Sequence, residues 1–403
     1  MCSTAKRWWR GVFEYDIVVL VSLLWFMILF LRFSYPPLFE TFQSIYGVSN
    51  AQTGLLFTLL MLAYSAIQFP AGIVGDRFGR PLIIVLGAVL FAVASVLTAA
   101  SPSFVVLLAA TVLFGLASGP HKGLTIPLLS ERYENNTGRA LGTVDTVGQF
   151  GGMVAPVAVV IVLSVFIWQT VFVLGAAVTL VLSALFYYSI VSDDDLTLRN
   201  RPTGSKSTGE HGGLLSYFSV FTNWRLVLFM IVTMLFAFAW NALSSFFPLY
   251  LSSEKGFSEG VAGLLYSALF VVSLSQLATG ELSDRIGQLT VCTLLSVGMF
   301  VGVILLIVAD SLIAVGAITI VLGIGFHGIR PVRDSYLMEQ IPQHIGGGTL
   351  GVIRTMMTGV GALGPAVIGY VSDVAGFDAA FSIIALTVAA GGAVAVVLLL
   401  VQR

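Results

Sequence analysis

The sequence predicts an all-α membrane protein with twelve transmembrane helices, built as two pseudo-symmetric six-helix bundles with both termini in the cytoplasm. Three observations carry that expectation. Apolar residues make up 57% of the 403 and charged residues only 10%, where a soluble domain carries about 25% charged residues. The apolar residues fall into twelve runs, each long enough for a hydrocarbon core about 30 Å thick, which takes about 20 residues. The first half of the chain also recurs in the second at a nearly constant offset, the mark of a repeat architecture.

The same composition excludes other classes. Nineteen Lys and Arg against 20 Asp and Glu leave a net charge of −1. Such a chain has too few charges to cover a soluble enzyme and no basic surface for nucleic acid. Its two cysteines, Cys2 and Cys292, cannot form a disulfide framework or a multi-cysteine metal site, so no metal or cofactor is expected. The partners are the lipid bilayer and a small-molecule substrate, with the monomer as the working unit.

Taken in order, the first six helices are expected at roughly 15–39, 50–74, 81–100, 103–130, 140–163 and 167–190, with ends good to about 2–4 residues. Six more follow at roughly 221–251, 259–282, 288–309, 311–337, 347–371 and 377–401. Lys6, Arg7 and Arg10 precede the first run. That run is too long for a signal peptide and ends in Tyr35-Pro36-Pro37 rather than a small-residue cleavage site, so it is read as a retained helix. Only Ala100-Ser101-Pro102-Ser103 parts helices three and four, a cut that Pro102 supports by disfavouring helix at the residue before it. Pro156 and Pro365 are expected to bend helices five and eleven. The glycines of Gly148-x2-Gly151-Gly152 and Gly359-x-Gly361-x2-Gly364 let backbones approach closely. The polar stretch from Ser192 to Gly213, with His211 as a solvated loop residue, reads as a flexible linker. The expected organisation is therefore a bundle over 1–191, a cytoplasmic linker over 192–216 and a second bundle over 217–403. Trp8, Trp9, Trp168 and Trp224 fit an interfacial belt. Gly346-Gly347-Gly348-Thr349 lacks the lysine and spacing of a phosphate loop.

Orientation follows from the cations. With the N-terminus inside, the inner segments hold Lys6, Arg7, Arg10, Arg77, Arg80, Arg132, Arg139, Arg199, Arg201, Lys206, Arg225, Arg285 and Arg403, and the outer segments only Lys255. That asymmetry places both termini in the cytoplasm. The remaining five, Arg32, Lys122, Arg330, Arg333 and Arg354, fall within spans.

The repeat is explicit. Ser49-x4-Gly54-Leu55-Leu56 returns as Ser258-x4-Gly263-Leu264-Leu265. Gln68-x3-Gly72-x3-Asp76-Arg77-x-Gly79 returns as Gln276-x3-Gly280-x3-Asp284-Arg285-x-Gly287. Gly115, Lys122 and Glu131 match Gly323, Arg330 and Glu339, and Leu141-Gly142 with Pro156 matches Leu350-Gly351 with Pro365. Chance similarity between apolar helices does not produce shared Asp-Arg-x-Gly turns at one offset.

The turn Gly72-Ile-Val-Gly-Asp76-Arg77-Phe-Gly79-Arg80 between helices two and three resembles the signature loop of the major facilitator superfamily, with its weaker copy between helices eight and nine. The resemblance covers the whole chain. It implies twelve helices in two six-helix bundles of inverted repeats, with substrate bound between the bundles near mid-membrane. It implies that helices one, four, seven and ten line the cavity. The chain departs from the pattern at Gly287-Gln288, where no basic residue matches Arg80, and in helix four, which lacks the Arg-Gln-Gly motif.

An ionisable residue in a span costs about 2.5–3.5 kcal/mol on insertion scales and so faces a cavity or a partner. Arg32 in helix one, His121 and Lys122 in helix four, and His327, Arg330, Arg333 and Asp334 in helix ten are such residues, and helix seven adds Trp240 and Asn241. Lys122 and Arg330 are matched across the repeat, and Arg330 and Arg333 share a helical face. Four cations against one carboxylate predict an anion site built from Arg32, His121, Lys122, Asn241, His327, Arg330 and Arg333, with internal pairing of Arg330 to Asp334 as the alternative. Asp334, His121 and His327 are the proton-coupling candidates; sodium coupling and uniport stay open. The expected function is secondary active transport of a small organic or inorganic anion in the cell membrane. The rival readings are a multidrug exporter and a transport-dead sensor on the same fold. An enzyme is not expected, since neither His-Glu-x-x-His nor Gly-x-Ser-x-Gly occurs. The family's packing of helix two on eleven and five on eight further implies inner latches, Asp76 with Arg354 and Asp145 with Arg285, against the alternative that Asp76 pairs locally with Arg80.

Overall fold

The structure is a computed structural model that describes residues 16–133, 136–191, 223–340 and 346–402, the side chains of 16, 346–352 and 402 excepted. The basic N-terminal residues, the linker over 192–216 with His211, and Arg403 lie outside the described residues.

Twelve helices long and apolar enough to cross a membrane are present among the described residues. They are α1 (Ile17–Tyr46), α2 (Asn50–Phe78), α3 (Arg80–Ala99), α4 (Phe104–Arg132), α5 (Thr137–Val165) and α6 (Gln169–Val191). The second six are α7 (Trp224–Ser253), α8 (Glu259–Ile286), α9 (Gln288–Val308), α10 (Leu312–Gln340), α11 (Ile353–Ala375) and α12 (Phe377–Val401).

Three of them are interrupted, each for a local reason. The first runs well past residue 39: a helix over Asp16–Phe33 is followed by a 3-10 turn at Pro36–Leu38 and a second helix over Phe39–Tyr46. Proline is tolerated at the first turn of a helix, where its missing N–H is not needed, so Pro36-Pro37 restarts α1 instead of ending it. Buried Tyr35, Leu38, Phe39 and Phe42 hold the restarted segment in place. In α8 a 3-10 turn at Val272–Leu274 separates Glu259–Val271 from Ser275–Ile286. In α11 the break falls before Gly364, with Pro365 in the new first turn. Pro156, by contrast, lies inside an uninterrupted α5. Between α3 and α4, Ser103 accepts from the Val106 amide and starts α4. Gly79 and Gly287, the repeated glycines of the two Asp-Arg-x-Gly turns, have φ of 99° and 91° and precede α3 and α9 directly. A side chain at either position would be strained, which explains why the repeat keeps glycine there.

The helices fall into two compact units, one within Met1–Ser34 and Ala66–Ser205, the other within Tyr35–Ser65 and Lys206–Arg403. In the first, α1 packs along α5 and α6, and α3 along α4 and α6. The α1–α5 contact is as close as backbones allow: a Cβ on Gly151 would collide with the Phe26 carbonyl and reach the Phe30 nitrogen at 3.0 Å, and one on Gly148 would collide with the Trp25 indole. In the second, α9 packs on α10 and α12, and α7 on α11 and α12. Leu226, Phe229, Met230, Leu289, Tyr336, Leu337, Ile353 and Leu398 form one buried cluster at one end of this unit.

Segment 35–65 is grouped with the second unit. Phe39 lies edge-on to Phe246 at 5.3 Å, and Gly54 sits against the Pro365 carbonyl with no room for a Cβ.

These contacts give a stability prediction. Gly151→Val places atoms where backbone already stands and should cost about 1–3 kcal/mol. Gly142→Ala, whose Cβ meets nothing within 4 Å, should change stability by less than about 0.5 kcal/mol. Thermal melting of the purified variants in detergent measures both.

Candidate functional site

In the first unit the span charges gather around one tryptophan. Trp25, mid-span in α1, is stacked by the His121 ring at 5.7 Å and 5°. The Lys122 ammonium stands 5.3 Å from its centroid and the Arg32 guanidinium 5.9 Å. Arg32 follows Trp25 by seven residues, two helical turns, and so returns to the same face. His121 is buried and its Nε2 meets the Val21 carbonyl at 3.0 Å, which fixes the ring against α1. Asp145 of α5 makes an ion pair with Lys122. A cation over an aromatic face gains about 0.5–2 kcal/mol, less than its insertion cost, so the carboxylate supplies much of the remaining compensation for Lys122.

The second unit repeats the idea with different parts. Trp240 of α7 is packed by Phe270, Phe326 and His327 at 5.7, 5.6 and 5.0 Å, and the Arg330 guanidinium lies 5.6 Å from its centroid. His327 is fully buried; the Leu269 carbonyl lies beside its ring, without closing a hydrogen bond of normal geometry. Asn241 turns back on its own helix, donating to the Ala237 carbonyl at 2.9 Å. Arg333 is not an open cation on the Arg330 face. It bonds Asp334 at 2.9 Å and approaches Met357 Sδ at 3.2 Å. Asp334 therefore pairs with its neighbour Arg333, and Arg354 and Arg330 add their fields to the same carboxylate.

The two signature turns are tied in parallel ways. Arg80 bonds Asp76 at 2.9 Å and Glu131 at 2.5 Å, joining the adjacent ends of α2, α3 and α4. In the second copy Arg285 pairs with Glu281, and Gln288, which stands where Arg80 does, donates to Glu339 at 2.6 Å. Glu339 is the repeat partner of Glu131, so the second copy keeps the same link with an amide in place of a guanidinium. Asp76 and Asp145, assigned by the sequence to latches with Arg354 and Arg285, are seen with the partners Arg80 and Lys122. Arg77 lies over the Phe78 ring at 5.4 Å.

At the other end of α2, within the second unit, the Asp373 carboxylate of α11 accepts from the Asn50 and Ala51 amides at 3.0 and 2.8 Å. Those are the orphan donors of a helix start, so an acid from one helix caps another. Thr58 accepts from the Ala366 amide at 3.0 Å and Ser65 donates to the Thr355 carbonyl at 3.1 Å, which continues the seam along α11. Among the described residues no group of three or more His, Cys, Asp or Glu is placed to hold a metal ion.

A family model described as Major Facilitator Superfamily matches residues 21–365 and 229–403. The chain belongs to the major facilitator superfamily. Its curated relatives include the hexuronate transporter of Bacillus subtilis, 26% identical over 83% of this chain and 82% of that protein. They also include a probable sulfoacetate transporter of Cupriavidus necator, 24% identical over 84% and 82%, and drug-resistance proteins. The fold matches a bacterial homolog of the human lysosomal transporter Spinster, with a TM-score of 0.81 and 14% identity over 96% of this chain and 97% of that one. This chain is a multi-pass protein of the cell membrane, and its relatives and fold neighbours are transporters, not enzymes.

Sequence reasoning on this major facilitator missed Trp25 and undervalued Trp240. The signal was present: both lie mid-span, where an interfacial belt does not explain a tryptophan. They were not aligned because their separation differs from the repeat offset. Asp373 carried no signal, since its partners are backbone amides more than 320 residues away.

The Asp373 cap yields a prediction. Asp373→Ala removes the acceptor of two amides at a helix start, a loss of about 1 kcal/mol. Amide hydrogen exchange over 50–58, read by mass spectrometry, should quicken about fivefold while exchange in α3 stays unchanged.

Proposed function

We propose that this major facilitator carries a small anion by alternating access, with both termini cytoplasmic and with a proton as the coupling ion. The observation that carries the reading is the set of cations held on tryptophan faces inside the spans: Arg32 and Lys122 on Trp25, Arg330 on Trp240. With Arg333 these are four cations against two carboxylates, Asp145 and Asp334. An excess of positive charge in a low-dielectric span is costly in the empty protein and is relieved by an anionic substrate. A guanidinium presents a planar fork of N–H donors that matches a carboxylate or sulfonate. Relatives named for hexuronate and sulfoacetate, both anions, agree with this reading. A drug exporter, which the resistance-protein relatives represent, gains nothing from such an excess.

Among the coupling candidates Asp334 has the most exposed side chain, half-buried and paired with Arg333. His121 and His327 are enclosed by rings and backbone. We therefore assign the coupling proton to Asp334, which takes it up only on parting from Arg333, with the histidines as packing elements of the two tryptophan clusters.

The test is uptake of radiolabelled glucuronate and sulfoacetate into proteoliposomes. Arg330→Gln should lower uptake by tenfold or more, and Arg330→Lys should also lose uptake because an ammonium cannot offer a bidentate fork. Arg32→Gln should behave like Arg330→Gln. Full uptake by the folded Gln variants contradicts the anion reading.

A further inference from the structure

We propose that Asp373 is a releasable strap: its carboxylate holds the Asn50 end of α2 against α11 while the outer side is closed, and on opening it gives up the α2 amides to Ser49, a cap that α2 carries itself. The inference rests on the alternating-access reading above and is independent of the charge of the cargo.

Three observations in the second unit carry it. The first is the seam between α2 and α11. Thr58 bonds the Ala366 amide and Ser65 the Thr355 carbonyl, while Gly54 stands against the Pro365 carbonyl and Gly369 against the Asn50 carbonyl with no room for a Cβ. From Asn50 to Ser65 that is about 22 Å of helix, a contact that has to part if this end of the protein is to open. The second is the place of the strap. Asp373 is exposed and accepts from the Asn50 and Ala51 amides at 3.0 and 2.8 Å at the very end of the seam. Water there replaces either partner, so the bonds break at small net cost. The third is that α2 has a second cap at hand. Ser49-x-x-Gln52 has the spacing of a capping box, and its return bond is made, Gln52 Oε1 accepting from the Ser49 amide at 2.9 Å. A serine at this position accepts from the second or third amide of its helix, and the second, that of Ala51, is one of the two that Asp373 occupies.

The repeat strengthens the case. Ser49 is matched by Ser258, which starts α8 and accepts from the Val261 amide. In the second copy the serine itself does the capping; in the first, an acid from another helix takes up the amides. Capping alone calls for no more than the serine in either copy. What the Asp373 carboxylate adds is therefore a tie between α2 and α11. Two caps for one helix start let the tie break without leaving the first-turn amides orphaned. The consequence is a population shift of opposite sign for the two residues: loss of Asp373 favours the parted seam, and loss of Ser49 disfavours it.

The experiment reads opening of the seam without any substrate. Thr58→Cys places a thiol at a buried seam position, Cys2→Ser removes one native thiol, and Cys292, buried in α9, stays as the control for general loosening. The full chain in lipid nanodiscs is treated with a charged maleimide, and mass spectrometry of the labelled peptides follows both thiols in this parent and with Asp373→Ala or Ser49→Ala added. Asp373→Ala should speed labelling at position 58 about fivefold, the loss of one cap. Ser49→Ala should slow it about twofold or more, with Cys292 unchanged in both. Labelling at position 58 no faster in Asp373→Ala than in the parent makes the acid a fixed cap and overturns the strap. Equal acceleration at Cys292 makes Asp373 a general stabiliser and overturns it as well. Labelling in Ser49→Ala as fast as in the parent, or faster, overturns the exchange of caps. If position 58 resists labelling in every variant while Ile45→Cys, exposed on α1, labels at once, the seam does not part, and the alternating-access reading falls together with the inference. In each of the other outcomes that reading stands.

Discussion

A cation inside a hydrocarbon span has to be compensated by the protein around it, and that requirement organises both units of this transporter. Insertion of a charge costs about 2.5–3.5 kcal/mol, and one aromatic face returns only about 0.5–2 kcal/mol. Each unit solves the shortfall around its own tryptophan. In the first, His121 stacks on Trp25, Lys122 and Arg32 lie over it, and Asp145 completes the set. In the second, three rings box Trp240 while Arg330 lies over it, and Asp334 is drawn to Arg333. The packing follows from this: Gly148 is needed because Trp25 occupies the space its side chain would take.

The ends of the helices answer a second constraint, that four backbone donors are left over at every helix start. Gly79 and Gly287 turn the chain into α3 and α9 with positive φ, and the acids Glu131 and Glu339 receive Arg80 and Gln288 across the same gap. Exchanging a guanidinium for an amide keeps the hydrogen bond and gives up the charge. At the far end of α2 it is an acid from α11, Asp373, that serves the orphan amides. One long helix is thus held by unlike chemistry at its two ends, a charge cluster at one and a capped seam at the other.

How far the sequence discloses this depends on the range of the interaction concerned. The twelve helices were legible because hydropathy is a local sum, and all twelve stand where the apolar runs lie. The Pro365 break and the Ser103 start were legible because they depend on neighbouring residues. The continuation of α1 to Tyr46 was not, since Pro36-Pro37 ends a helix or opens a new turn according to whether Phe39 and Phe42 find a core. The charged span residues were legible as a set and not as pairs. Sequence spacing put Asp334 within reach of Arg330, whereas the structure turns it to Arg333. It offered no route to the pairing of Lys122 with Asp145, which depends on how α4 and α5 face each other. Pairing across helices is a tertiary property, and a repeat offset reports common ancestry of positions more readily than contact between them.

The central claim is that charge, not shape alone, is what the span cations recognise. The most direct measurement compares glucuronate with glucuronamide, which differ at one group and in one charge, by thermal stabilisation of the purified wild-type transporter across a concentration series. The account predicts stabilisation by the acid that saturates and is lost in Arg330→Gln, with no stabilisation by the amide. Equal stabilisation by both, or stabilisation by the acid that survives in Arg330→Gln, would contradict it.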